Sequence, residues 1–153
     1  AMIGHGWQSQ WKRVGRRLEE VRTVYTGAPG GTDAALDRVL SFFETIHHLK
    51  DWLRNDPKCG VTEDDVHEVI DKSPALQLCA DIANGSKHFK LTSSQTGDFG
   101  TTIARNDVSV FPGTGTSAHR FYIESGGKDY DAREIAEQAV RVWEAYLAGR
   151  NML

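Results

Sequence analysis

Ser73-Pro-Ala-Leu-Gln-Leu-Cys-Ala-Asp-Ile-Ala-Asn-Gly-Ser-Lys-His-Phe-Lys-Leu91 is the stretch that decides the fold. Ser73 is a helix cap and Pro74 fits the first helical position, where a missing N–H costs nothing. At about 100° per residue, Ala75, Leu78, Cys79, Ile82, Ser86 and Phe89 fall on one side. Gln77, Asp81, Asn84 and His88 fall on the other. The spacing therefore predicts one amphipathic helix with a polar stripe of an amide, two hydrogen-bonding acids or amides and an imidazole. Gly85 within it costs up to ~1 kcal/mol relative to alanine, which suggests a close neighbour.

Working outward, the same periodicity recurs on both sides. Trp7, Trp11, Val14, Leu18, Val21 and Tyr25 describe a first helix, and Thr26 to Gly31 breaks it. Thr32 or Asp33 is expected to cap a second helix through about Arg54, with Leu36, Val39, Leu40, Phe43, Ile46, Leu49 and Leu53 as its core stripe. Asn55-Asp56-Pro57 ends it. Thr62 with Asp65 caps a short helix through about Ile70. From Thr92 to Tyr130 helical spacing vanishes. Thr101 to Phe111 and Arg120 to Glu124 read as strands, with Lys128 to Tyr130 as a short third after the Gly126-Gly127 hairpin turn. Asp131 with Glu134 opens a last helix to about Ala148, which Gly149 terminates. The fold class that follows is mainly α: a single domain over residues 1–153, a four-helix-type bundle with a small antiparallel β-meander inserted at about 100–130 before the last helix.

Composition narrows the function classes. The chain has 153 residues, 39% hydrophobic and 25% charged, with a net charge of −3. That balance suits one globular domain and argues against a strongly electrostatic nucleic-acid binder. Apolar runs fall far short of the ~20 residues that span a bilayer, so no membrane association is expected. No charged-then-apolar leader opens the sequence. Cys59 and Cys79 lack metal-type spacing, and Cys79 on an apolar face suits a reducing, cytoplasmic setting.

Several constellations could carry chemistry. Glu44, His47 and Asp51 lie within helical reach on the second helix, and Asp64 with His67 offers a weak second Glu-x-x-His-like pair. These can ligate a divalent ion, or they can be a core-margin histidine bonded to Asp51. Asp81, Asn84 and His88 can meet His47 and Asp51 across a helix pair, with His88 as acid or base. The alternative is a solvated face. Lys87 and Lys90 flank this segment and can meet phosphate. Lys12, Arg13, Arg16, Arg17 and Arg22 form a basic run on the first helix, interrupted by Glu19 and Glu20. No nucleophile elbow, phosphate loop or dinucleotide fingerprint is present.

Ala83-Asn84-Gly-Ser-Lys-His88 resembles the signature segment of the HEPN superfamily, small helical bundles that include many RNA-cutting toxins and defence components of bacteria and archaea. Asn84 and His88 match the family's polar residue and histidine, whereas Ala83 stands where the family has arginine. His47-His-Leu-Lys-Asp51-Trp52 together with the Asn84 segment is similar to a group of bacterial proteins of the same shape. The resemblance implies a bacterial defence or stress domain, RNA-associated, dimeric through helix faces and catalytically degenerate. Any activity would be metal-independent and ribonuclease-like, with His88, Asn84, Asp81 and Lys87 at the site and His47 and Asp51 facing them. No metal or cofactor is expected. Two other classes remain open: a metal-dependent hydrolase or oxidase using His47, Asp51 and His88, and a non-enzymatic interaction module.

Overall fold

The computed structural model describes residues 4–153. Its elements run α1 (Trp7–Thr26), α2 (Gly31–Asn55), α3 (Glu63–Asp71), α4 (Pro74–His88), β1 (Thr102–Phe111), β2 (Thr116–Ser125), β3 (Lys128–Asp131) and α5 (Ala132–Gly149). α1 packs on α2, α2 on α4, α4 on α5 and α5 on α1, which closes a ring of four helices. The short α3 bridges α2 and α4. The three-stranded antiparallel sheet, in the order β1-β2-β3, lies before α5 and rests β2 on α1 and α5.

The core is built from the apolar stripes. Val14, Leu18 and Val21 of α1 meet Val39, Phe43, Ile46, Leu49 and Leu53 of α2, Leu78, Cys79 and Ile82 of α4, and Ala139, Trp143 and Leu147 of α5. Phe42 is buried as well and packs edge-on to Phe43, with ring centroids 5.5 Å apart. Each Val, Leu, Ile or Phe among them contributes roughly 1.5–3 kcal/mol on burial. Burial also pushes the Cys79 thiol well above its ordinary range, so it is an inert core residue. Among the buried polar residues, Gln10 of α1 donates to the Thr45 carbonyl of α2 at 2.8 Å.

Caps formed by local sequence are in place. Thr62 and Asp65 form a complete capping box on α3, and Ser73 Oγ accepts from the Leu76 N–H on α4. Asp131 accepts from the Glu134 N–H on α5. The start of α2 differs from expectation. Its cap is Gly30, in the left-handed region at φ 100°, with no side-chain cap. Thr32 is instead held by His119 of β2 at 3.0 Å, a partner 87 residues away. β2 begins earlier than its sequence suggests, at Thr116, because its ladder with β1 runs on to the Phe111–Thr116 pair, and the backbones of Ala28 and Ser117 also pair there in both directions at 3.0 and 3.1 Å. Gly85 admits no close neighbour: Leu91 Cδ2 lies 4.0 Å from where a Cβ would stand.

Tyr25 ties helix and sheet together. Its hydroxyl accepts from the Phe121 and Arg133 N–H groups, both at 3.1 Å, and lies 3.0 Å from the Phe121 carbonyl and 3.1 Å from the Asp131 carboxylate. Burial raises its pKa above the ordinary phenol range, so it stays a hydroxyl. No helix among the described residues is long and apolar enough to cross a membrane.

Candidate functional site

α2 and α4 run side by side, and α3 closes one end of the space between them. His47 and Lys50 of α2, His67 and Asp71 of α3, Asn84 of α4 and Gln95 of the following loop line one cleft of about 290 Å3 there. His47 is half-buried. Desolvation, with the nearby charges of Lys50 and His48, pushes its pKa down to about 4, against weaker upward pulls from Asp51 and Asp81. At neutral pH the cleft therefore presents the uncharged His47 imidazole, the His67 ring, two amides, the Asp71 carboxylate and the Lys50 ammonium, which also lies 3.5 Å from Asp51.

Asp81 does not line this cleft. It is fully buried, 0% exposed. Its carboxylate accepts from Ser94 Oγ at 2.7 Å, Gln95 N at 2.8 Å, Thr96 N at 3.2 Å and Thr96 Oγ1 at 2.6 Å. The expected polar stripe thus divides. Asp81 is spent inward on the loop that carries Gln95, and it shapes the cleft wall without reaching a ligand. The chain of hydroxyls continues through Thr96 and Thr101 to Ser125, at 3.1 and 2.6 Å, and pins the loop to the hairpin. Gln77 is also committed: its amide donates to the Ile70 and Asp71 carbonyls and satisfies the end of α3.

Asp51 and His47 are one turn apart yet line different hollows. Asp51 binds Arg54 at 2.9 Å and faces a second hollow with Trp52, Asn55 and Asp56. Lys87 and His88 are exposed on the last turn of α4, beyond the cleft but on the side of Asn84, three and four residues on. Ala83, where the sequence resemblance called for an arginine, is 4% exposed and packed in the bundle. An arginine there would bury its guanidinium rather than offer it to a phosphate.

The acids and imidazoles do not gather around an ion. Glu44 accepts from Ser86 Oγ at 2.9 Å, and His67 lies 4.0 Å from Glu63. Among the described residues no group of three or more His, Cys, Asp or Glu is placed to hold a metal. The basic run of α1 is partly neutralised: Arg17 pairs with Glu20, Arg22 pairs with Glu19 and Glu137, and Arg13 lies over the Trp52 ring.

The structure thus brings His47 and Asn84 together and leaves Asp51, Asp81 and His88 outside their cleft. It adds Lys50, Asp71 and Gln95. Lys50 was open to inference from its spacing three residues after His47. Gln95 stands in a loop without periodicity and carried no such signal. No family model, curated protein or solved structure matches this chain.

Proposed function

We propose that the chain is a HEPN-like domain that binds single-stranded RNA without cutting it. The observation that supports this reading is the convergence of His47, Lys50, Asn84 and Gln95 in one polar cleft, with Lys87 and His88 continuing along the same side of α4. Amides and a neutral imidazole suit the base edges of an unpaired strand, and the two ammonium groups suit its phosphates.

Cleavage is not favoured by the same groups. Phosphoryl chemistry needs a cation at the developing charge and an acid or base of suitable pKa. Ala83 supplies no cation, and His47, held near pKa 4, is a weak base. His88 stands apart on the helix end. A metal-assisted route with His47, Asp51 and His88 lacks convergence of the three.

The test is fluorescence anisotropy with a labelled single strand of about ten nucleotides, titrated from about 50 to 200 mM salt. The wild type is expected to bind with a log–log salt slope at least as steep as about −1.4, and Lys50→Ala and Lys87→Ala to reduce that slope by about 0.7 each. The strand is expected to stay intact. Absence of binding at low salt rejects the proposal. Metal-independent cleavage that His88→Ala abolishes rejects its non-cleaving part.

A second reading, a module that pairs two copies, has one observation in its favour. β1 is an edge strand and exposes Val108, Val110 and Phe111. Light scattering during size exclusion checks it: a strict monomer at tens of micromolar counts against it.

A further inference from the structure

We infer that Lys87-His88-Phe89-Lys90 is a base-stacking element, with the Phe89 ring as platform for one base of a single strand and Lys87 and Lys90 meeting the phosphates on either side. This rests on the RNA-binding reading and assigns it a second contact, on the rim beyond the cleft.

Phe89 is 97% exposed, the most exposed of the large hydrophobic residues among those described. It caps the end of α4 with φ 68° and ψ −35°, a conformation that side-chain-bearing residues rarely adopt. Folding explains neither feature. A helix that ends in positive φ favours glycine there, and an apolar ring favours the core. At helical spacing Phe89 belongs to the apolar side with Ile82. The turn out of helical conformation is what throws the ring into solvent.

The surroundings indicate what meets it. Lys87, His88 and Lys90 are all exposed. Neither lysine has a carboxylate partner among the described residues, in contrast to Arg17, Arg22, Lys50, Arg54, Lys72, Arg105 and Arg150, which are all ion-paired. Glu44 of α2 accepts from Ser86 Oγ at 2.9 Å and pairs with neither lysine. Phe89 and Lys90 border a groove of about 390 Å3 that Leu36, Leu40, Ile82, Leu91 and Phe99 also line. A cation, a free ring face and a cation in four residues match the alternation of phosphate and base along an unpaired strand. Stacking on such a ring is tolerant of sequence, because every base has a π-face. A protein partner would use the groove as a pocket for its own side chain and would need only apolar character at position 89, not an aromatic plane.

The test uses the whole chain and an oligoadenylate of about ten nucleotides carrying one 2-aminopurine, whose fluorescence falls on stacking. Wild type, Phe89→Ala, Phe89→Leu and Phe89→Trp are compared by affinity and by quenching. Wild type and Phe89→Trp are expected to quench the probe, and Phe89→Ala and Phe89→Leu to bind roughly five- to a hundredfold more weakly without quenching. Wild-type affinity in Phe89→Ala overturns this inference and leaves the cleft reading intact. Wild-type affinity in Phe89→Leu alone also overturns it and assigns an apolar contact in place of stacking. If the wild type binds no strand at all, the RNA reading fails and this inference with it.

Discussion

Thr96 Oγ1 donates to the buried carboxylate of Asp81 at 2.6 Å, across 15 residues of chain. With Ser94 Oγ and the Gln95 and Thr96 N–H groups it gives that carboxylate four donors. A buried charge so supplied is stable, and the loop that supplies it is fixed in place.

Asp81→Ala leaves those donors without an acceptor inside the bundle. The expected loss is about 2–4 kcal/mol, because each unsatisfied buried group costs on the order of 1–3 kcal/mol and part of the loop can reach water. Asp81→Asn replaces one oxygen by a donor facing donors and is expected to lose most of the same amount. Urea denaturation measures both. A change below about 0.5 kcal/mol in Asp81→Ala would mean that the loop is held by something else. Because Gln95 is carried by that loop, amide exchange across residues 94–96 should quicken in the same variant.

The folded state holds His47 at a pKa of about 4, below the ordinary value of 6.5. The neutral ring therefore favours the fold. Its contribution is fully present above about pH 6.5 and is lost as pH falls toward 4, by up to ~3 kcal/mol. Lys50, His48 and Asp51 on its own helix, His67 and Asp71 on α3, and Asp81 on α4 surround it. His47→Gln keeps a hydrogen-bonding side chain without the titration. The variant should show a flatter fall in unfolding free energy between pH 7 and pH 5 than the wild type. Parallel curves would show that His47 is not the group that carries the slope.

Phe89→Gly removes a side chain from a positive-φ position and an exposed ring from water. Stability is expected to be unchanged or up to ~1 kcal/mol higher, even though glycine raises the entropy of the unfolded chain. Thermal melting reads this directly. A loss of more than about 1 kcal/mol would mean that the ring contributes to the fold, and the reason for assigning it to a ligand would disappear.

Much of the architecture was legible because it is written locally. The Thr62–Asp65 box, the Ser73-Pro74 start and the Asp131 cap each need only three or four adjacent residues. Apolar spacing likewise placed the bundle stripes and the glycine pair placed the β2–β3 turn. What the sequence concealed depends on distant partners. Thr32 leaves its capping role for His119, and Asp81 leaves the polar stripe for Thr96. Helical spacing put Phe89 on the core side, and one backbone angle at the helix end reversed it. His47 with Asn84 was legible as a pair on facing helices. Gln95 was not, because a loop has no period to read.

The central claim is that RNA lies along the His47–Asn84 cleft and onto the end of α4. Amide chemical-shift mapping of the whole chain with a short unlabelled oligoadenylate tests it most directly. The shifts are expected at His47, Lys50, Asn84, Lys87 to Lys90 and Gln95, with the α1 basic run unmoved. Shifts confined to α1 or to β1, or none at all, would contradict it.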